Sequence, residues 1–284
     1  MKKIARICAA FALAMTMLFS TAFAAADGGV DWTENKVTAI GTGVAPSNAL
    51  NAAQARMLAR RAAIVDGYRN LAETVKGVNI DGTTTIEMNM VASDTVTSKV
   101  TAFIQGARIV SERATADGGY EVTLEVPMFG VSNSLASAVL QKPATKEAFP
   151  VVSGSAVTGP AASDPTAYAS ATVQKEGNYT GLIVDCRGLG LQAVMSPVIK
   201  NASLQPIYGY KNLDYDVVVA KGMAGYATDM SKASRAGARP LVVKAVRLDG
   251  HNANPVLSNA DADKVLVENA ATHFLDQTNV VFLR

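Results

Sequence analysis

The chain has 284 residues, of which 49% are hydrophobic and 18% are charged, with 26 Lys and Arg against 24 Asp and Glu. The apolar fraction excludes a disordered chain, and the low share of charged residues excludes a long solvated coiled coil. Two cysteines do not make a disulfide scaffold, and a net charge of +2 is too small for dedicated nucleic-acid binding, which replaces phosphate counterions with many basic side chains. The length predicts about two domains.

The first residues have the pattern of a secretory signal peptide, which we place at 1–24. A basic start is followed by the apolar run from Ile7 to Phe19, and small residues then stand at the two positions that a signal peptidase reads. We expect cleavage after Ala24, with Ala26 as the alternative site, and an uncleaved membrane anchor as the other interpretation. Cys8 lies at the start of the apolar run, and no cysteine stands just after the run, where a lipid-accepting one is expected.

Removal of this segment changes the charge and the cysteine count. It carries three basic residues and no acid, so the formal net charge falls from +2 to −1. The mature chain is then predicted to be periplasmic or secreted, without a stable membrane span. Cys186 remains as the single cysteine, in an apolar run that predicts a buried strand, where a thiol behaves as a small hydrophobe. The alternative is a reactive thiol beside a base.

The first module, residues 31–140, is predicted to be an α+β fold with its helices on one face of a sheet. The segment from Lys36 to Gly41 alternates and is rich in β-branched residues, as in a strand, and the glycines of Gly41-Thr42-Gly43 break it. A long helix follows, opened by Ser47 or Asn48 as its cap and stopped at Gly77. The remaining elements are an extended segment at 83–90, a helix at 93–105, a hairpin of strands 108–113 and 120–126, and a short helix at 135–140.

A linker and a second module complete the chain. In residues 141–177 four prolines interrupt a run of Ala, Ser, Thr and Gly, which predicts a flexible tether, with 149–152 as a piece that docks on a module. Residues 178–284 are predicted to form α/β layers whose strand order stays open. The predicted strands are 179–185, 205–210, 216–220, 240–247 and 280–283, and the predicted helices are 223–236 and one capped at 258–261 that runs to 272.

The candidate chemical motifs each favour a structural interpretation. Gly41-Thr42-Gly43 lies between a strand and a helix as a dinucleotide-binding turn does, but Pro46 stands where the third glycine belongs, so a tight structural turn is favoured. His251 and His273 have no metal ligand at suitable spacing, so no zinc site is expected. The nucleophile-elbow motif of serine hydrolases is absent from the sequence. We therefore predict no catalytic residue, no cofactor and no metal.

Three arginines are the candidate partner-binding residues. Arg56, Arg60 and Arg61 form a basic group on the long helix, and the first two lie one turn apart on one face. The alternative is a solvated face whose arginines pair with Asp66 and Glu73.

Three segments of the first module carry a family resemblance. They are Ile40–Gly43, the helical run Ala55–Glu73, and Gly106–Val110 followed by Asp117–Leu124. The module resembles the LPP-twenty lipoprotein domain, which is also similar to the N-terminal domain of flagellar assembly protein T. The second module, through Gly181–Asp185 and Leu241–Ala245, looks like a segment that trails such domains in other bacterial envelope proteins. The resemblance implies an envelope protein and supplies no catalytic residues, although this chain lacks the lipid-accepting cysteine that the family name implies.

We therefore expect an exported, non-enzymatic protein of the bacterial cell envelope with a structural or assembly role. Its two modules would contact envelope proteins, or further copies of the chain, at a spacing that the linker leaves variable. The resemblance adds a flagellar or outer-membrane setting. A periplasmic small-molecule-binding module is the first alternative, and a hydrolase is the second.

Overall fold

The computed structural model describes residues 28–152 and 175–284. The predicted signal peptide, with its cleavage after Ala24, lies outside the described residues. Most of the predicted linker, from 153 to 174, lies outside them as well.

The first module is a four-stranded antiparallel sheet with helices on one face, as expected. The strand order is β1-β2-β4-β3, so β2 and β4 are the inner strands and β3 is an edge. Its elements are β1 (Gly29–Asp31), β2 (Lys36–Gly43), α1 (Ala52–Lys76), α2 (Ile86–Ala92), α3 (Asp94–Gln105), β3 (Arg108–Ala114), β4 (Tyr120–Pro127) and α4 (Leu135–Val139).

The packing of α1 on β2 explains the two glycines that the sequence places there. A Cβ atom on Gly41 would lie 2.1 Å from the carbonyl oxygen of Ala63, and one on Gly43 would lie 2.3 Å from that of Ala59. Both glycines lie within β2 and do not break it, which corrects the predicted turn. Their missing side chains let the helix backbone approach the strand directly.

The second module contains two further four-stranded sheets. One is wholly parallel, with the order β8-β12-β5-β9, and the other is mixed, with the order β10-β11-β6-β7. The elements are β5 (Gly181–Asp185), β6 (Ile199–Lys200), β7 (Pro206–Tyr208), α5 (Tyr215–Lys221), β8 (Gly225–Ala227), β9 (Pro240–Lys244), β10 (Arg247–Asp249), β11 (Asn254–Val256), α6 (Asn259–Thr272) and β12 (Val280–Leu283).

The two modules share one continuous hydrophobic core. Buried side chains of the first module, Leu71 and Phe103 among them, belong to the same cluster as Tyr208 and Phe282 of the second. Backbone hydrogen bonds also cross the boundary, from Ser196 N–H to the carbonyl of Ile80 at 2.7 Å and at two further points, Met195 to Asn79 and Gly130 to Val219. The prediction that the distance between the two modules varies is therefore wrong for the described residues, because direct contacts fix one module against the other.

The described start of the predicted linker lies against the second module. The Glu147 N–H donates to the carbonyl of Lys211 at 2.8 Å, and Tyr210 donates its hydroxyl to the carbonyl of Gln141 at 2.7 Å. The ring of Phe149 stacks on that of Tyr208 with 6.4 Å between the centroids. Phe149 thus docks as its sequence context predicts.

Three segments differ from their predicted secondary structure. The supposed extended segment at 83–90 contains α2, and the supposed strand at 216–220 is α5, whose first amides are capped by the Asp214 carboxylate. The supposed helix at 223–236 contains β8 and two short 3-10 turns. In this last segment, strand pairing outweighs the local helix pattern. Tyr226 lies opposite Phe282 in a parallel ladder, and the local sequence does not show that partner.

In 28–152 and 175–284, no helix is both long and apolar enough to cross a membrane.

Candidate functional site

Of the three arginines predicted to bind a partner, Arg60 forms an ion pair within the first module. Its Nε donates to Glu112 of β3 at 2.8 Å, and this carboxylate raises the pKa of Arg60. Asp66 instead pairs with Arg69 at 3.0 Å and accepts from the Thr42 N–H. The predicted pairing of Arg60 with Asp66 or Glu73 is therefore wrong, because the side chain of Arg60 reaches across to the edge strand.

Arg56 and Arg61 are exposed, and neither forms an ion pair with any residue that the structure describes. The structure thus does not bring the three arginines together as one site. Arg61 belongs to a different group, which the sequence analysis did not identify.

That group is a row of side chains on the solvent side of α1, which we call the outer face: Met57, Arg61, Val65 and Arg69. They recur every four residues and are offset by two from the buried row Ala59, Ala63, Gly67 and Leu71. An offset of two residues is about 200° around a helix, so the two rows lie on opposite sides. Met57 is 72% exposed and Val65 is 64% exposed. The helix is thus held by one side and presents apolar and basic groups on the other.

A second candidate site is the inter-module cleft, of about 1060 Å³, between the sheet face that lacks helices and the second module. The alternate residues of β2 and β4 form its floor, with Thr38 beside Glu125 and Ile40 beside Thr123. The wall opposite includes Tyr226 and the two residues after it in the chain. The cleft exists only because both modules pack together.

Charged side chains on the cleft floor are joined in pairs. Lys36 Nζ lies 3.3 Å from the Glu125 carboxylate, and Arg113 Nη2 lies 2.9 Å from that of Glu121. The hydrogen bond to Glu121 raises the pKa of Arg113. Each of these two carboxylates therefore already has its cation in place, whereas Asp31 and Arg284, which also line the cleft, form no ion pair with a described residue.

Trp32 is the single tryptophan of the chain and lies half-buried in the wall of the cleft. It follows β1 directly and contacts the ring of Tyr226 across the module boundary. Neither Trp32 nor the cleft was predicted from the sequence. The available signal was a lone tryptophan beside the alternating strand at Lys36, but its partner Tyr226 is almost two hundred residues away.

Cys186 is fully buried at the end of β5, as predicted. Burial, together with the negative charge of Asp185, raises the pKa of its thiol to about 12. Its hydrogen-bond partner is the carbonyl of Val184. These surroundings disfavour the thiolate, so the reactive-thiol alternative gains no support.

The histidines lie on the surface of the second module. His251 and His273 are both exposed and adopt left-handed backbone conformations, the latter as the residue that ends α6. His273 lies 3.5 Å from Asp276. Among the described residues, no group of three or more His, Cys, Asp and Glu is placed to hold a metal ion.

Two family matches follow the division of the chain into modules. Residues 31–127 match the LPP20 lipoprotein family, which is the LPP-twenty family named above. The first module is an LPP20-type domain. Residues 181–284 match the second domain of Treponema pallidum Tp0624. No curated protein matches the chain.

The match of the LPP20-type domain confirms the resemblance carried by its glycines and its long helix, and it supports a protein of the cell envelope. The likeness to flagellar assembly protein T stays a prediction, as do the signal peptide and the absence of a lipid anchor.

Proposed function

We propose that this chain is an exported, non-enzymatic envelope protein that acts in assembly by docking other envelope proteins on the outer face of α1. The resemblance to flagellar assembly protein T makes a flagellar or outer-membrane setting part of the proposal. The observation that carries it is the alternation of exposed Met57 and Val65 with Arg61 and Arg69 on a helix whose other side is locked against a sheet.

The rigidity of α1 supports docking. Gly41 and Gly43 bring the helix backbone onto the strand, so the outer face keeps a fixed shape without a partner. A preformed surface loses little conformational freedom on binding, and this favours affinity.

The chemistry of the outer face defines its partner. Exposed Met and Val side chains gain by burial against apolar groups, and an interface core of this kind is enriched in Met and Arg. Arg61 has no carboxylate partner among the described residues, so the complementary surface should carry an acid at its position. A second copy of the chain is the alternative partner.

The test compares matched variants in the native host. Tagged full-length protein is crosslinked in whole cells, purified and analysed by mass spectrometry, for the wild type, for Met57→Ser combined with Arg61→Glu, and for the control Lys99→Glu. Lys99 is an exposed cation on α3 of the same module. We expect envelope proteins with the wild type and with the control, and their loss in the double variant. The same crosslinked proteins with all three chains would refute docking on this face.

The inter-module cleft favours a second candidate function, a periplasmic module that binds a small molecule. Its volume and mixed lining are those of a ligand site. A thermal-shift screen of metabolites tests this candidate, since a ligand that binds only the folded state raises the melting temperature. A hydrolase is the weakest of the three, because burial disfavours the Cys186 thiolate and the exposed His273 pairs, among the described residues, with Asp276 alone.

A further inference from the structure

We propose that the inter-module cleft binds a neutral, hydroxyl-rich oligomer, that is, an uncharged oligosaccharide. This inference goes beyond docking on the outer face and does not depend on it, because the cleft lies on the opposite side of the sheet from α1.

The shape of the cleft suits an extended ligand. Its floor crosses three strands of the first sheet, from Lys36 on β2 to Arg113 on β3, and the second module closes one side. The volume of about 1060 Å³ is just above the range for small-molecule sites, which is about 300–1,000 Å³. An oligomer fills such a space better than a single metabolite.

The paired charges on the cleft floor select against an ionic ligand there, and the two lining residues that form no ion pair with a described residue, Asp31 and Arg284, carry opposite charges. The floor carboxylates of Glu125 and Glu121 are already paired with Lys36 and Arg113. A charged ligand would have to displace one member of a pair, and the released group would then lack its partner. A hydroxyl group can instead donate to the carboxylate and accept from the cation without breaking the pair.

Hydroxyl groups on the floor remain available to a ligand. Thr38 uses its hydroxyl on the carbonyl of Gly29, but the neighbouring Thr123 and Ser111 use theirs on no protein group among the described residues. Among the described residues, Oδ1 of Asn35 is the only fully buried side-chain N or O atom without a hydrogen-bond partner. The hydroxyls of Thr123 and Ser111 also lack a protein partner, so they are not fully buried and solvent can reach them. They offer donors and acceptors to a hydroxyl-rich molecule.

Apolar surface stands beside these polar groups. Trp32, Ile40 and Val110 line the same cleft. A sugar ring presents C–H groups on its faces and hydroxyls at its rim, so it needs this combination of flat apolar and hydrogen-bonding surface. The lining meets both requirements.

An extended peptide fits the cleft less well. Peptides usually bind a sheet by adding a strand at its edge, through main-chain hydrogen bonds. The cleft floor is instead mainly the face of β2 and β4. β4 is paired with a strand on each side, and β2 is paired with β4 along its length and with β1 over Lys36–Thr38. Recognition here has to come from side chains.

The single tryptophan provides the test. Purified protein is titrated with two neutral probes, chitohexaose and cellohexaose, and with two charged ones, hexagalacturonate and pentalysine, while the fluorescence of Trp32 is recorded. We expect a saturable change with at least one neutral probe and none with the charged ones. No response to either neutral probe, or a response to a charged probe alone, would overturn the proposal.

Matched variants locate the binding. Thr123→Val keeps the side-chain shape and removes the hydroxyl, and it should raise the Kd of the neutral probe about tenfold. The control Thr101→Val lies on the exposed side of α3 and should leave the Kd unchanged. An equal Kd in both variants would place binding outside the cleft. Loss of crosslinked proteins in the outer-face double variant is a separate result, so the two proposals fail independently.

Discussion

The indole of Trp32 meets the ring of Tyr226 edge-on, with 5.5 Å between the centroids and 71° between the planes. Tyr226 in turn lies edge-on to Phe282, and its hydroxyl donates to the carbonyl of Val194 at 2.9 Å and accepts from the Val194 N–H. One aromatic contact therefore ties the first module to the parallel sheet of the second. The two modules should unfold together because of this shared core.

Replacement of Trp32 tests the shared core. Trp32→Ala removes a half-buried ring from the module boundary and should lower the free energy of unfolding by about 2 kcal/mol. Urea denaturation followed by far-UV circular dichroism measures the change, and Trp32→Phe, which keeps an aromatic ring, should lose less. A biphasic unfolding curve for the wild type would show that the modules unfold separately.

Close packing of α1 on β2 makes Gly41 intolerant of a side chain. In Gly41→Ala the new methyl group would meet the backbone of Ala63 and Gly67, so helix and strand must separate, at a cost of about 2 kcal/mol or more. Thermal and urea denaturation measure the loss. The control Gly29→Ala places its methyl group in open space and should leave stability nearly unchanged. Equal stability of the two variants would contradict the packing account.

A buried carboxylate holds the chain where the second described segment begins. Glu268 is fully buried, and its two oxygens accept from the N–H groups of Glu176 and Gly177 at 2.6 and 2.7 Å. Glu268→Gln replaces one acceptor with a donor, so one amide loses its partner, at a cost of about 2 kcal/mol.

Hydrogen exchange measures this effect locally. The amides of Glu176 and Gly177 should exchange faster in Glu268→Gln than in the wild type. Glu73→Gln, at an exposed position on α1, is the control and should change neither amide. Unchanged exchange at both amides in the Glu268 variant would show that the carboxylate does not hold this segment.

The thiol of Cys186 should be inert in the folded protein. Its pKa is raised to about 12, mainly by burial, so at pH 8 the reactive thiolate is almost absent. In the chain processed after Ala24, Cys186 is the sole cysteine, and alkylation by iodoacetamide should be on the order of a hundredfold slower in buffer than in urea. Rapid alkylation of the native protein would revive the reactive-thiol alternative.

The sequence was most informative where a local signal coincides with the tertiary environment. Ser258 caps its helix as predicted, because a serine side chain satisfies the first free amides of a helix wherever that helix packs. The strand predicted at 120–126 also forms, as part of β4 (Tyr120–Pro127), since its apolar residues Val122, Leu124 and Val126 are buried together.

Distant contacts account for the errors. Val217, Val218 and Val219 favour a strand by propensity, yet the Asp214 cap and burial of Val218 make them helical. The partners of Arg60 and Trp32 lie on other elements, Glu112 of β3 and Tyr226 of β8. Neither partner follows from local periodicity, so the cleft emerges only from the packed modules.

Docking on the outer face of α1 is tested most directly by a photo-crosslinking amino acid placed at Val65 in living cells. Val65 is 64% exposed in the middle of that face. We expect adducts with other envelope proteins from position 65 and none from the control position Lys99. Adducts missing at position 65, or identical adducts at both positions, would contradict it.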